Sequence, residues 1–442
     1  MKLENLTFKG GTKVPGFKEF TENLPIEKAR APEKVIIPLQ QHIGAPCDPV
    51  VKVGDKVKVG QVIGQAEAFV SAPVHASISG TVKEIGSHVS PTGMTVNSIT
   101  IEADGKNEVD PSLKPHDSLN ELTKDEILSI IKDAGITGMG GASFPTYVKL
   151  SPPKDKKIDT IIINGSECEP YLTSDYRLMV ENPEAIVFGL KVIMKAVGVG
   201  KGFIGIEDNK PEAIKKLREV CKNEKDIKVV SLKAKYPQGD EKRVINAITN
   251  REVPSGGLPM DVGAIVSNAG TANAIGEAVR KGKPLYERIV TVTGKGIKEP
   301  KNLIVKIGTS FRDIIEECGG YAKAPGKIIM GGPMMGISQY TDEVPVIKGT
   351  SGILVLTQED ANPEPEQPCI KCGKCLEVCP VNLQPLYINK FTLKGRFDKA
   401  EEYHALDCIE CGACSYICPS KRTLVESIRL AKGEIIAKRK KS

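Results

Sequence analysis

The chain has no long apolar run. Its most apolar longer stretch, AIVFGLKVIMKAVGVG, is interrupted by Lys191 and Lys195, and the amino end, MKLENLTFKGG, lacks the apolar core of a secretory leader. Neither export nor a membrane span is expected, and the chain is read as cytoplasmic. Tryptophan is absent, and aromatic residues make up 5% of the 442 positions. With no arginine-rich helix, aromatic-interleaved basic patch or zinc-finger spacing, nucleic acid is not an expected partner. The net charge of +6 is spread along the chain, and its one concentration, the carboxyl-terminal AKRKKS, reads as a solvated, frayed tail. The common phosphate loops are missing as well. GITGMGGASFPTYVKL (135–150) has glycines at 138, 140 and 141 but not the third glycine of the dinucleotide fingerprint, and Lys149 comes too late for a Walker loop.

Cysteine, by contrast, is abundant and unevenly placed. Of twelve cysteines, eight fall in CIKCGKCLEVCP (369–380) and CIECGACSYICP (408–419). Each is C-x2-C-x2-C-x3-C-P, the run of bacterial two-cluster ferredoxins. Three thiolates in a tight turn can face one cubane, while the fourth, one helical turn on, points to the other, so the ligand sets are expected to be crossed. Cys369, Cys372, Cys375 and Cys418 would hold one 4Fe-4S cluster, and Cys379, Cys408, Cys411 and Cys414 the second. Zinc ribbons also use C-x2-C pairs and are the competing metal chemistry, although eight evenly spaced cysteines with two trailing prolines favour iron and sulfide. Cys47, Cys168, Cys221 and Cys318 stand alone and are expected to be buried and structural.

The fold class expected is α+β multidomain. Residues 33–103 alternate apolar and polar side chains in short bursts between glycines, as a small β unit does. GDKVKVGQVIG followed by APVHASISGTV resembles the biotinyl/lipoyl type of barrel-sandwich hybrid, whose hairpin lysine carries the prosthetic group. No lysine lies between Lys58 and Lys83, so this module is read as unmodified and structural. Residues 115–275 alternate helical and strand patterns, including TKDEILSIIKDAG, DTIIING, NPEAIVFGLKVIMKAVG and KGFIGIED, and form a Rossmann-like α/β layer. Two of its strands end at Asn164 and Asp208, and ligands gather beyond the carboxyl ends of such strands. Residues 285–340 look like a β-grasp module of the SLBB (soluble-ligand-binding) type. ANPEPEQP (361–368) reads as a linker, opening a two-cluster ferredoxin domain over 361–425.

Clusters move single electrons and a nicotinamide moves a hydride, so a chain joining them needs a carrier able to do both, and flavin is that carrier. GMGGASFPTYVK resembles the flavin loop of the NADH-oxidising flavoprotein of respiratory complex I, and NGSECEP (164–170), YPQGDEK (236–242) and SNAGT (267–271) follow in that family's order. Bare glycine amides also suit a ring or phosphate on physical grounds. The resemblance implies FMN contacts from Gly138, Gly140, Lys149, Asn164, Glu167, Tyr236, Gly239, Asn268 and Thr271, and NADH contacts from Phe144, Glu169 and Glu241. Ser166, the pair Ser267-Asn268, and Cys168 depart from the pattern. VPSGGLP (253–259) lacks the lysine and aromatic residue that help hold adenine there.

FKGG, PLQQHIGAPCDPVV, PSGGLP and GGPMMG, together with the motifs above, resemble the C component of the Rnf electron-transport complex over nearly the whole chain. That family implies two 4Fe-4S clusters, FMN and NAD(H). It also implies a peripheral place at the cytoplasmic face of a membrane-bound, ion-translocating ferredoxin:NAD oxidoreductase, held there by the other Rnf subunits, with ferredoxin an indirect partner. A cobalamin reductase of the propanediol-utilisation type, with a similar set of modules, and a non-enzymatic iron–sulfur relay are the alternatives.

Overall fold

Two small antiparallel sheets account for the glycine-punctuated alternation after residue 33. In the computed structural model, which describes residues 4–116, 118–362 and 364–441, strands Lys34–Pro38, Lys56–Val57, Gly80–Val89 and Thr95–Ala103 form one sheet. Asp48–Pro49, Val62–Gln65 and Val74–His75 form the other. Val35, Ile37, Ile63, Ile99 and Ile101 are fully buried in one core. The lysine-free hairpin Val62–Gln65/Val74–His75 carries Phe69 near its tip, which meets the Tyr147 ring edge-on at 5.7 Å. This module is thereby docked beside the glycine loop.

The second layer is a four-stranded parallel sheet ordered Ile227–Leu232, Gly202–Glu207, Thr160–Asn164, Ala264–Asn268. Its strands are near-continuous apolar runs because helices cover both faces. Thr123 and Glu126 form a capping box that starts helix Lys124–Asp133. Pro183 opens Pro183–Val197, and Gly198 ends it. In chain order the strands lie third, second, first, fourth. The winding therefore reverses between the first and the fourth, where Asn164 pairs with Asn268. That is the topological switch point, the usual crevice for a ligand. The other expected strand end, Asp208, instead accepts a hydrogen bond from the Ala234 amide, tying it to the chain leaving the edge strand.

A six-stranded mixed sheet follows. Glu287–Thr293, Lys301–Lys306, Pro325–Met330 and Ile337–Gln339 belong to it, with helix Phe311–Glu317 packed on its core. The sheet runs past residue 340: Gly352–Thr357 pairs in parallel with Glu287–Thr293, and Ile26–Lys28 adds an edge strand on Lys301–Lys306. Between these, the amino-terminal segment crosses the four-stranded parallel layer, where Leu6 pairs with Leu232 and Thr12 with Tyr236.

Helix Gln358–Ala361 takes up the first residue of the 361–368 stretch. Pro363 lies outside the described residues, and the rest of the stretch has neither helix nor strand, as a linker would. The cysteine domain beyond it does not end in a frayed tail. Helix Leu424–Lys441 runs to the basic end, because Ile428, Ala431 and Ile435 repeat at helical spacing and bury against Ile388, Ala400 and Ala405. Arg439 also pairs with Glu401. Ser442, the last residue of AKRKKS, is outside the described residues. Cys47, Cys221 and Cys318 are buried, whereas Cys168 is only partly so.

Candidate functional site

The switch point is walled by residues from four sequence motifs. Asn164 donates its amide to the Gly239 carbonyl at 2.8 Å and accepts from the Ser166 amide at 3.1 Å. Gly239 in turn directs its N–H at the Cys168 sulfur, 3.3 Å away. Across the crevice, Asn268 caps helix Ala269–Lys281 by accepting from Gly270 and Thr271, and donates to Asp175 at 2.6 Å. The Thr271 hydroxyl accepts from the Met139 amide at 2.9 Å, which draws the glycine loop onto the start of that helix. Gly138 closes the loop by donating to the Phe144 carbonyl. At Gly140 a Cβ would stand 2.7 Å from the Asn268 amide nitrogen and 2.9 Å from its Cβ, so this glycine is required by the approach of loop to cap. Lys149 and Glu241, expected to serve different cofactors, form an ion pair with each other.

Three other expected site residues already have their polar atoms engaged. Glu167, at φ 46°, accepts from the Asp175 and Tyr176 amides and so caps helix Ser174–Glu181. Glu169 accepts from Met334 at 3.1 Å and Met335 at 2.7 Å, in the GGPMMG loop of the β-grasp sheet. Gly332 lets that loop close down, since a Cβ there would be 2.2 Å from Glu169 Oε2. Burial raises the Glu169 carboxyl to about 7, with the two amides and Lys18 opposing. Burial likewise raises Glu167, against the pull of Lys18. The Lys18 ammonium donates to the carbonyls of Glu167, Glu169 and Leu172 and thereby fixes the curled backbone of the whole NGSECEPYL turn. Tyr236 is fully buried and donates its hydroxyl to the Cys411 carbonyl at 2.7 Å.

That last bond leads into the cysteine domain. Cys379 from the first run and Cys408, Cys411 and Cys414 from the second line a single cavity. Both runs bend alike: Lys371 and Gly373 in the first, Glu410 and Gly412 in the second, take positive φ. Backbone amides point at the sulfurs, Leu383 to Cys379 and Glu410 to Cys408, each at 3.3 Å. Burial pushes the Cys408 thiol up to about 11, Cys411 up to about 12, and Cys414 higher still. Thiolates in such an enclosure need a metal to be stable, and donors aimed at sulfur are what an iron–sulfur cluster uses. Among the described residues no group of His, Cys, Asp or Glu side chains is arranged to hold a lone metal ion; these four thiols surround a cavity. Cys375 and Cys418 pack together with Leu424 and Val425, and Cys369 and Cys372 are exposed. The enclosed thiols thus fit one iron–sulfur cluster, and the remaining four supply the donors for a second.

The cavity abuts the flavin-type layer on several sides. Arg243 donates to the Pro380 carbonyl, Gly11 to the Val378 carbonyl at 2.9 Å, and Ser255 to Asp407 at 2.7 Å. Met334 from the β-grasp loop packs with Tyr236, Cys168 and Cys411.

Four family models match the chain in this order: the RnfC barrel sandwich hybrid domain over 6–106, the Nuo51 FMN-binding domain over 131–277, the SLBB domain over 289–338 and the 4Fe-4S dicluster domain over 368–422. The C component of the Na(+)-translocating ferredoxin:NAD(+) oxidoreductase complex of Acetobacterium woodii is 52% identical over 441 residues, covering 100% of both chains. The chain belongs to this RnfC family. The proton-translocating counterpart of Clostridium ljungdahlii is also 52% identical, over 97% of this chain and 94% of the relative. The C component of the ion-translocating oxidoreductase complex of Rhodobacter capsulatus is 42% identical over 98% and 84%. A chain of an NAD+-reducing [NiFe]-hydrogenase superposes with a TM-score of 0.51 at 17% identity, covering 73% of this chain and 62% of that one, which speaks for the fold alone.

Some residues of this RnfC site carry no sequence signal that would have singled them out. Lys18 lies in no recognisable motif, and its role appears only once the chain folds back on residues 167–172. Arg243 directly follows YPQGDEK, so the motif pointed to its neighbourhood but not to its contact with Pro380 at the cysteine cavity.

Proposed function

We propose that FMN occupies the switch-point crevice between Asn164 and Asn268, with NAD(H) at its mouth and the cavity of Cys379, Cys408, Cys411 and Cys414 directly behind it. The chain works as the NAD(H)-facing electron-transfer component of an ion-translocating ferredoxin:NAD oxidoreductase complex. The chemistry supplied by the bound groups is the conversion between a hydride on NAD(H) and single electrons in two 4Fe-4S clusters, with FMN as the converter. The observation that carries this reading is that the cavity lined by Cys379, Cys408, Cys411 and Cys414 is joined to the four-stranded parallel layer at two points, Tyr236 to Cys411 and Arg243 to Pro380.

In this reading the chain's residues divide by task. The glycine loop presents bare backbone at Gly138 and Gly140, Asn164 and Gly239 hold the wall beside it, and Asn268 and Thr271 fix the loop to the helix start. Lys149, partly exposed and paired with Glu241, supplies positive charge at the mouth for a phosphate, while Glu241 and Phe144 face NADH. Glu167, Glu169 and Tyr236 act by holding walls in place, since their polar atoms are engaged by the Asp175 and Tyr176 amides, the Met334 and Met335 amides, and the Cys411 carbonyl. Burying those groups with partners avoids the cost of lone polar atoms at the cofactor. The chain is peripheral, at the cytoplasmic face, held by the other components of the complex. Among the described residues no helix is long and apolar enough to cross a membrane.

The test is cofactor analysis of the native chain purified with its partners. Stoichiometric FMN, iron and acid-labile sulfide for two clusters, NADH-dependent dye reduction and co-purifying membrane proteins of the complex are expected. Zinc in place of iron, or absence of flavin, would contradict it.

A further inference from the structure

Arg243 is an uncommon side chain for its position. It sits in the first turn of helix Glu241–Thr249, yet it is only 8% exposed and reaches out of the flavin-type layer to the Pro380 carbonyl, the residue after Cys379. Its Nε is buried with no hydrogen-bond partner among the described residues, and it forms an ion pair with the Asp240 carboxylate at 3.6 Å, too long for a hydrogen bond. Asp240 also accepts from the Arg243 backbone amide at 3.1 Å, as the helix cap. Asp240 offsets part of this charge, but a guanidinium without a hydrogen bond at Nε is still costly to bury, and added negative charge in the adjoining cysteine cavity would stabilise it.

We infer that Arg243 sets the reduction potential of the cluster held by Cys379, Cys408, Cys411 and Cys414. The inference rests on the reading that these cysteines hold a cluster. Reduction adds one negative charge to the cavity. A guanidinium cation in a region of low dielectric stabilises the reduced form more than the oxidised form and raises the potential. Arg243 bonds the carbonyl of the residue after Cys379, and the Asp240 carboxylate beside it carries the opposite charge, so the two bear on the same cavity with opposite signs. Lys432 also reaches this set, through the Cys408 carbonyl, but it is paired with Glu410 at 2.6 Å. Near the exposed set, Lys421 and Arg422 are likewise paired, with Glu364 and Glu366. Arg243 is set apart from these by its longer pairing distance to Asp240, 3.6 Å, and by its bond to the Pro380 carbonyl next to Cys379, and acts as a positioning charge for the enclosed cluster.

The experiment is a redox titration of the purified full chain followed by electron paramagnetic resonance, with iron and acid-labile sulfide measured on each sample. In Arg243→Gln, one of the two cluster waves should move to lower potential by about tenfold in its one-electron equilibrium, or about 59 mV, and the other should stay. Arg243→Lys should keep most of the parent value. Asp240→Asn, which preserves the helix cap, should move the same wave upward. An unmoved wave in a fully loaded Arg243→Gln sample, equal shifts in the Gln and Lys variants, or a downward shift in Asp240→Asn would each overturn the assignment. If Arg243→Gln fails to load its cluster, the Asp240→Asn wave decides: an upward shift supports the assignment and no shift overturns it. A parent chain with no iron–sulfur signal would instead refute the reading of the cysteines, and the inference with it.

Discussion

The two cysteine runs have the same spacing, the same pair of positive-φ positions and the same trailing prolines, yet the two ligand sets drawn from them live in different surroundings. Cys379, Cys408, Cys411 and Cys414 enclose a cavity pressed against the flavin-type layer, whereas Cys369 and Cys372 of the other set are exposed. The difference teaches that ligand spacing specifies what a run can hold, and that contacts made by other domains specify what the held group does. The enclosed set is touched by Tyr236, Arg243, the Gly10-Gly11 segment and the β-grasp loop. The exposed set is bordered mainly by the linker and the end helix, through surface ion pairs such as Lys421 with Glu364. Pairs of that kind contribute at most about 1 kcal/mol.

The largest effects should come from breaking one set at a time. Cys379→Ala should remove the enclosed cluster and Cys418→Ala the exposed one, each roughly halving iron content while the remaining resonance persists. Independent rather than crossed binding would instead make Cys379→Ala damage the cluster of its own run. Next in size is Gly140→Val, which drives a side chain into Asn268. Overpacking of this kind costs about 1 to 3 kcal/mol, or roughly ten- to hundredfold in FMN affinity. Flavin absorbance and NADH-dependent dye reduction should fall while both clusters stay at the parent level; full flavin retention would mean the loop is only a turn.

Tyr236→Phe should have a smaller effect, confined to the enclosed set. It leaves the Cys411 carbonyl without its donor, at a cost of about 1 to 3 kcal/mol, read as a lower melting temperature with both clusters still bound. The smallest effect concerns Glu169, which latches the β-grasp loop next to the enclosed set. Its carboxyl is held at about 7, above the ordinary 4.5, so the folded state binds this proton more tightly than the unfolded chain does. The associated stability is fully present below about pH 4.5 and is lost as pH rises through 7. Glu169→Gln should flatten the fall in melting temperature between those values, and an unchanged slope would show that the proton is held elsewhere.

Local pattern in the sequence carried the modules, the two cysteine runs and the turn of the glycine loop, because spacing and periodicity are short-range properties. DTIIING and NPEAIVFGLKVIMKAVG correspond to strand Thr160–Asn164 and helix Pro183–Val197 for that reason. What local pattern could not carry is non-local. Ile26–Lys28 joins a sheet whose other strands lie far down the chain, and Lys18 collects carbonyls from residues 167–172. The Glu169 carboxylate looks free in NGSECEP and is taken only when the GGPMMG loop arrives. The basic end reads as a tail by charge, but the apolar stripe of Ile428, Ala431 and Ile435 holds it in a helix.

The central claim is that the enclosed set stands between the flavin crevice and the exposed set. Rapid-freeze electron paramagnetic resonance of chemically reduced protein mixed with NAD+ tests it most directly, comparing the parent chain, Cys418→Ala and Cys379→Ala. Cluster signals should decay in the parent and in Cys418→Ala, while in Cys379→Ala the exposed cluster should stay reduced although the flavin is reoxidised. Decay of the exposed cluster in Cys379→Ala at the parent rate would contradict the claim, because electrons would then reach the flavin without the enclosed set.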